Sequence, residues 1–429
     1  MNRWWVSVVA VTFCWYGAAA AEEMFTLAAA EDAVIAHSAR LTAAEADYEA
    51  AVKKAAAARA QSGPRVTIDG QYRWIAHVPE LSLPIPRAAT LRLGDHHAYA
   101  LGATATWLMW DHGGSRSAFT GAQAAASARR AEADAVRRRI LLGGRSAYYA
   151  VVLAREQTTI LTQAVALAQS QSDDIALKVR AGTQSRMDAI AARQALLRRS
   201  RQLRQAQVDE AQAARTLARV TGLEIGPAHP LSMERIADLL SRRRTPQSLR
   251  LKADHPDVQA FSELAAAARS AQSGFESGLW PKMSVQARSS VEYPDQMLRE
   301  QFTQHIAAVA LAWTIYEGGQ SRAQADASRW SATAADQRAE DARADMHAAW
   351  ETVLDQQAAL EDQRTIDAEI VTQAQEFAQI VRAAYNAGTV EYLQVEDANM
   401  KALESTLSLA RTNMQLLVND AVLASMAEE

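Results

Sequence analysis

The sequence predicts a mainly α-helical protein with a small β part. It is built from two repeats of a helix, a β-hairpin, a very long helix and a further helix. Three observations predict this fold: the placement of proline and glycine, four segments of alternating polarity, and a motif duplicated at one spacing. After a signal peptide over 1–21, the predicted parts are a first repeat over 22–221, an inter-repeat linker over 222–253 and a second repeat over 254–426.

The amino-terminal residues are typical of a secretory signal peptide. Arg3 supplies the positive region, and the apolar run from Trp4 to Tyr16 is too short to span a bilayer stably. Alanines at 18–21 offer a cleavage site. The single cysteine, Cys14, lacks the small preceding residue that a lipoprotein signal needs, so we expect its removal rather than acylation. The mature chain is then expected to lack disulfide and thiol chemistry.

The remaining composition argues against several classes of protein. The formal net charge of −4 disfavours nucleic acid as a partner. No later run of 18 apolar residues occurs, so entry into a membrane would require strands. The histidines are scattered without a serine–histidine–acid spacing, which predicts no enzyme, no cofactor and no metal site. His77, His96 and His97 flank one loop, where a polar surface is favoured over a metal contact.

Long helices are predicted wherever proline is missing. No proline occurs between Gly121 and Pro227, and neither proline nor glycine occurs from Ser321 to Ala387. Since proline in a helix interior costs about 3 kcal/mol, these intervals favour helices over 115–179, 184–221, 321–386 and 390–426. The first would be roughly 100 Å long, with Gly143–Gly144 as the place for a bend. A narrow apolar seam, typical of coiled-coil packing, is formed by Ile366, Ile370, Phe377, Val381 and Ala384.

Strands are predicted in four places; apolar and polar residues alternate clearly in two of them, 65–78 and 282–293, whereas 97–110 and 302–316 are more apolar on both faces, with the large side chains on one. The segments are 65–78, 97–110, 282–293 and 302–316, which form hairpins over 65–110 and 282–316. Alternation of period two gives a strand two unlike faces. Three tryptophans of these segments, Trp74, Trp107 and Trp313, are candidates for a membrane interface.

The two halves of the chain align with each other. WLMWDHGGSR, which begins at Trp107, matches WTIYEGGQSR, which begins at Trp313, at an offset of 206 residues (313 − 107). The same offset aligns Gly182 with Gly388. Upstream the offset is larger, so the additional residues lie in the first hairpin loop, where insertions are tolerated cheaply. The linker, with its basic run Arg242–Arg244, is interpreted as a solvated connector.

Four strands are too few to close a barrel, for which roughly eight are needed. An open sheet edge is not tolerated in hydrocarbon, so either the strands stay in water or several chains share one barrel. Three chains would provide twelve strands, and the interface tryptophans favour this arrangement. The predicted architecture is a trimeric α-helical tunnel joined to a shared 12-stranded outer-membrane β-barrel.

With these features the sequence resembles the TolC-like outer-membrane efflux proteins over essentially the whole mature chain. The resemblance is carried by the duplicated order, the W-x-x-[WY]-[DE]-x-G-x-S-R junction after each hairpin and the glycine–threonine turn of each half. It implies a homotrimer in a Gram-negative outer membrane, in contact with lipid and with a periplasmic helical domain. It further implies a passive exit duct of a tripartite efflux or type I secretion system. The implied partners are a periplasmic adaptor (membrane fusion) protein and an inner-membrane transporter of RND, ABC or MFS type. The substrate, the pump class and the adaptor stay open.

The resemblance also assigns roles to residues around the two turns. The turns would be the tips that dock the adaptor, although the same glycines also suit a plain helical hairpin; they contain Gly182, Thr183, Gly388 and Thr389. Acidic residues after each turn would form charged rings at the periplasmic entrance, with a solvated helix face as an equal alternative for Glu391 and Glu396. The expected gate residues are Asp188, Arg186, Tyr385, Glu391, Gln394, Glu396 and Asp397.

Two positions depart from the family pattern. Val390 stands where family members can have an arginine, and Gln394 stands where a second entrance acid can occur. The gate is then expected to be held more weakly, or through Arg186 or Arg180. The main alternative function is a trimeric coiled-coil structural or adhesin-like protein of the periplasm or surface, which would not require two matched hairpins.

Overall fold

The computed structural model describes residues 24–83, 89–92, 94–223, 232–243, 249–295 and 298–427; the expected signal peptide and Cys14 lie outside them. Helices dominate this part of the chain. The helices are α1 (Leu27–His37), α2 (Ala39–Ala60), α3 (Gly114–Arg180), α4 (Arg186–Thr221), α5 (Ile236–Ser241), α6 (Pro256–Ser277), α7 (Gln320–Asn386) and α8 (Tyr392–Met426). The strands are β1 (Arg65–Trp74), β2 (Glu80–Leu83), β3 (Ala89–Arg92), β4 (His97–Trp110), β5 (Lys282–Tyr293) and β6 (Phe302–Ala312).

Two compact units are formed by these elements. The helical unit contains the described residues of 1–37, 141–248 and 355–422, and the sheet unit contains those of 38–140, 249–354 and 423–429. The two longest helices, α3 and α7, have 67 residues each. Within the described residues, no helix has both the length and the apolar character that a membrane crossing requires.

The sheet unit contains a four-stranded antiparallel sheet in the order β1-β4-β5-β6. Its register places the apolar phases of all four strands on one face, because Ile68 pairs with Ala103, Leu101 with Val291 and Val285 with Val309. The opposite face is polar in β1 and β5, where it includes an ion pair of 3.0 Å between Arg288 and Asp69, and it has mainly small or apolar residues in β4 and β6. The sheet therefore has two unlike faces, as the alternation in β1 and β5 predicts.

The strand ends differ from the predicted ones where a pairing partner is missing. Trp74 of β1 pairs with His97, the first residue of β4, and Ala312 of β6 pairs with Lys282, the first residue of β5. The predicted extensions to 78 and 316 have no strand to pair with. The two-stranded hairpin of β2 and β3 was not expected, because such short strands in a proline-bearing segment give no alternation signal.

The duplicated junction after each hairpin has matched contacts. Trp107 Nε1 donates to the Ser62 carbonyl (2.9 Å), and Trp313 Nε1 donates to the Leu279 carbonyl (3.1 Å). The acidic residue of each copy accepts from the backbone N–H four residues later, at Ser115 and Ser321. These contacts begin α3 and α7, which explains why the motif occurs twice.

The linker does not behave as a solvated connector within its described residues. Ile236 and Leu239 of α5 are buried in the main core of the helical unit. The buried carboxylate of Glu234 accepts hydrogen bonds from Leu27 N (2.9 Å), Tyr148 Oη (3.0 Å) and Arg242 Nη1 (2.5 Å). The expectation was wrong because charge and proline content do not reveal the apolar face of a six-residue helix.

The adjacent glycines of α3 do not interrupt it. The helix runs through Gly143 and Gly144, so no break occurs where a bend was expected. A Cβ atom at Gly144 would lie 2.9 Å from Val34 Cγ2. Gly144 thus allows α1 to approach closely, which is a packing role rather than a hinge.

Candidate functional site

The two turns that contain Gly182 and Gly388 have the same geometry. Both glycines have a φ of 76°, in the left-handed region that favours glycine. Thr183 N donates to Lys178 O (2.9 Å) and Thr389 N donates to Ala384 O (3.0 Å). The two threonine hydroxyls donate to the same carbonyls. Each turn therefore closes the end of its long helix by satisfying carbonyl groups that the helix leaves open.

An apolar cluster lies directly behind the turns. Its buried members are Ile175, Ala192, Val381, Tyr385, Tyr392, Val395 and Ala398. Val390, at a position where the resemblance allows arginine, packs against this cluster. The departure from the family pattern thus exchanges a charge for an apolar contact.

The residues that follow the two turns differ in burial. Ser185 caps α4 by accepting from Met187 N (3.0 Å), and Arg186 is exposed. At the offset of 206, Arg186 aligns with Tyr392, whose side chain is only 1% exposed. The second repeat therefore buries an aromatic ring where the first exposes a cation.

Glu396 lies inside the helical packing and not on an exposed face. Arg199 Nη1 donates to both of its carboxylate oxygens (2.8 and 2.9 Å), and Arg198 lies at 3.4 Å. The side chains of Arg199 and Glu396 are 7% and 8% exposed. This differs from the expected ring of charge, because the carboxylate is neutralised within its own chain.

The other expected gate residues lie nearer to solvent. Glu391, Gln394 and Asp397 are exposed, and Asp397 forms an ion pair of 2.8 Å with Lys401 one helical turn later. Asp188 is half-buried. Burial, together with the charges of Asp188 and Asp174, raises the pKa of Tyr385 above its ordinary value.

Two buried tyrosines of the cluster have hydroxyl groups without a hydrogen-bond partner among the described residues. These are Tyr385 and Tyr392, whose rings meet edge to face at 5.8 Å. Burial and the nearby carboxylate of Glu396 raise the pKa of Tyr392 to about 12. The sequence alone did not single out Tyr392 or Arg199, because their roles depend on contacts between distant segments.

The remaining candidates lie at both ends of the strands. Trp74 lies at the end of β1 that is farthest from α2, whereas Trp107 and Trp313 lie beside the junctions with the long helices. All three rings are at least 43% exposed. Tyr72 Oη lies 2.7 Å from His97 Nδ1, and the described residues contain no group of three side chains suited to a metal.

Comparison with known proteins gives a family match and similar solved structures of outer-membrane channels. A family model described as outer membrane efflux protein matches residues 32–223 and 248–427. No curated protein sequence matches the chain. The solved structure of VceC from Vibrio cholerae is similar, with 17% identity and a TM-score of 0.75 over 93% of this chain and 95% of that one.

Two further channels have similar structures. MtrE from Neisseria gonorrhoeae, solved in an open state, has 15% identity and a TM-score of 0.73 over 93% of this chain and 88% of that one. CusC, studied for folding and transmembrane channel formation, has 17% identity and a TM-score of 0.72 over 95% of this chain and 93% of that one. At these identities the structures establish a common fold.

Proposed function

Because the chain belongs to the outer membrane efflux protein family, we propose that it forms a homotrimeric, passive exit duct of a tripartite efflux or type I secretion system. Its location is the outer membrane of a Gram-negative cell, with the helical part in the periplasm. The protein is an outer-membrane efflux channel, and its relatives are channels rather than enzymes.

The four-stranded sheet is the observation that best supports the proposed trimer. β1 and β6 lie at its ends, and each has one edge without a partner strand in the described part of the chain. The apolar face is exposed, since Ile68 is 80%, Val309 is 70% and Leu311 is 69% accessible. Pairing β1 of one copy with β6 of the next removes every open edge, and three copies give the twelve strands of a closed barrel.

The long helices also present an unpaired apolar surface. Along α7, four large side chains are about half exposed: Ile366, Ile370, Phe377 and Ile380. Contiguous exposed apolar residues of this kind are typical of an interaction surface. In the proposed trimer they pack against neighbouring copies and complete the wall of the tunnel.

The two turns are the proposed docking tips for a periplasmic adaptor, which connects the duct to an inner-membrane transporter. Gly182, Thr183, Gly388 and Thr389 form their backbone. Large apolar side chains beside the turns are exposed, with Leu177 at 62%, Met187 at 76% and Leu393 at 68%. Such side chains suit a partner that covers the end of each hairpin.

At the entrance, three copies of Asp188, Glu391 and Asp397 would provide rings of negative charge that favour cations. We assign Glu396 a different role within the same proposal. Its pair with Arg199 fixes α4 against α8 and so positions the entrance residues.

Interchain crosslinking tests the shared sheet. Cysteines introduced as Val66→Cys in β1 and Val309→Cys in β6 lie on the apolar face of opposite end strands. A bifunctional maleimide applied to membranes is expected to give covalent dimers and trimers. The variant Ala105→Cys with Ala287→Cys is the matched control, because these residues pair within one chain.

Two results would contradict the proposal. One is the recovery of only intrachain products from the β1–β6 variant. The other is a protein that fractionates away from the outer membrane and whose electrophoretic mobility is unchanged by heating, as expected for the alternative coiled-coil stalk.

A further inference from the structure

A polar cavity lies beside the turns, within the helical unit. It has a volume of about 390 Å³, at the lower end of the range for ligand pockets. Residues from α3, α7 and α8 line it, including Gln171, Lys178, Arg382, Tyr385 and Tyr392.

Three lining side chains have buried polar atoms without a partner in the described part of the chain. They are the amide nitrogen of Gln171 and the hydroxyls of Tyr385 and Tyr392. The three residues are 8%, 7% and 1% exposed. A buried polar atom without a hydrogen bond is costly, and native structures contain few of them. Three around one cavity indicate a bound group that supplies the missing bonds.

The lining groups determine the chemistry of that bound group. The amide nitrogen of Gln171 is a donor only, and its oxygen already accepts from Asn399 Nδ2 (3.4 Å), which leaves the nitrogen as the end without a partner. Arg382 also only donates, and it forms no ion pair with a described residue. Tyrosine hydroxyls can donate to an acceptor as well. The bound group must therefore be rich in acceptors.

The charged side chains that line the cavity, Asp174, Lys178 and Arg382, leave one positive charge in excess, which favours an anion. Lys178 lies 2.8 Å from Asp174, so these two lining charges neutralise each other. Glu396 behind Tyr392 is neutralised by Arg199. Asp188 raises the pKa of Tyr385 but does not line the cavity. Arg382 is therefore the lining charge that has no ion pair with a described residue.

We propose that this cavity binds a small carboxylate, which accepts hydrogen bonds from Gln171, Tyr385, Tyr392 and Arg382. Such a ligand connects α3 to α7 and α8, because Gln171 belongs to α3 and the tyrosines belong to the other two helices. It would thus hold the two hairpins of the tip together. The effect of this ligand on the entrance of the duct rests on the proposed function. The binding of the ligand to the cavity does not depend on that function.

Binding is tested on the purified full-length mature protein in detergent, with sodium succinate as the probe. Succinate is expected to raise the melting temperature and to give a saturable heat by calorimetry, compared with sodium chloride at equal ionic strength. Tyr385→Phe, Tyr392→Phe and Arg382→Gln are each expected to weaken binding about tenfold, as for the loss of one hydrogen bond to a charged acceptor.

The melting temperature measured without succinate distinguishes a ligand site from a cavity that only water fills. In the absence of succinate, an unpaired Tyr392 hydroxyl contributes no hydrogen bond to the fold. The melting temperature of the Tyr392→Phe variant is then expected to equal or exceed that of the unmodified protein. Tyr148→Phe is the matched control, because this equally buried hydroxyl is bonded to Phe25 O and Glu234 and its loss lowers the melting temperature. A fall for Tyr392→Phe with no response to succinate means that water alone fills the cavity, which overturns the proposal.

Two further results overturn it: equal stabilisation by sodium chloride, or undiminished succinate binding in the double variant Tyr385→Phe/Tyr392→Phe. Crosslinking of the strands is an independent measurement. Failure of β1–β6 crosslinking with normal succinate binding would remove the trimeric duct but leave the ligand site. The reverse pattern would remove only the ligand site.

Discussion

At the scale of single residues, the buried carboxylates of the helical unit are stabilised by paired arginines and hydrogen bonds. Glu234 and Glu396 are both buried, and each is held by an arginine, Arg242 in one case and Arg199 in the other. Glu234 also accepts from a backbone N–H and from the hydroxyl of Tyr148. These bonds attach the amino-terminal segment and the linker to the core of the unit.

The contribution of Glu234 depends on pH. Burial opposes its ionisation, but the hydrogen bonds from Leu27, Tyr148 and Arg242 outweigh burial and hold its pKa below the ordinary 4.5. A carboxyl group with a lowered folded-state pKa stabilises the fold above its unfolded pKa, and this stability is lost as the pH falls through the folded value. Glu234→Gln is therefore expected to unfold with a weaker dependence on pH below about 4.5 in acid titrations followed by circular dichroism. An unchanged acid limb would contradict this assignment.

Removal of Arg199 leaves the buried carboxylate of Glu396 with only the exposed Arg198, at 3.4 Å, as its partner. Arg199→Met is expected to destabilise the helical unit by about 3–5 kcal/mol, and the double variant Arg199→Met/Glu396→Leu is expected to recover most of that loss. Denaturant unfolding in detergent measures both. If the single and double variants are equally unstable, the pair does not act as a unit.

At the scale of elements, the two repeats agree more closely in helix length and turn geometry than in which residues are buried. The helices α3 and α7 have equal lengths and end in turns of equal geometry. The helices that follow differ, because Arg186 is exposed where its counterpart Tyr392 is buried. In the proposed tunnel, equal helix lengths suit two parts of one wall, and the different burial after the two turns gives an asymmetric entrance.

Glycine has opposite effects in the turns and in the long helix. Gly182→Ala and Gly388→Ala are each expected to cost about 1 kcal/mol, because alanine disfavours a positive φ. Gly143→Ala is expected to stabilise α3 by about 0.5–1 kcal/mol, since its Cβ would meet no neighbouring atom. Thermal unfolding compares the three variants. Stabilisation by Gly182→Ala would contradict the left-handed conformation of that turn.

At the scale of the whole molecule, the proposed trimer converts single carboxylates into rings. Asp397→Asn removes three charges from the proposed entrance, so the preference for potassium over chloride is expected to fall in single-channel recordings. Glu404→Gln, two turns farther along α8, is the matched control and is expected to have a smaller effect. Unchanged selectivity in the Asp397 variant would count against the ring.

The sequence by itself determined the order of the long helices and of the four strands of the sheet, the lengths of those helices and the positions of the turns. These features depend on local chemistry: proline disrupts helices, a positive φ favours glycine, and alternation of period two favours strands. The duplicated motif likewise aligns Trp107 with Trp313 and Gly182 with Gly388. The resemblance carried by the same motif indicated an outer-membrane efflux protein, and the family match confirms it.

Only the tertiary structure decided which polar residues are exposed and which are paired inside the fold. Glu396 looks like Glu391 in the sequence, yet it is buried because Arg199, 197 residues away, reaches it. Arg243 of the supposedly solvated linker likewise pairs with Asp420 and Glu361. The polar cavity requires residues from three helices. Such contacts join segments far apart in the chain, and hydrophobic periodicity contains no information about them.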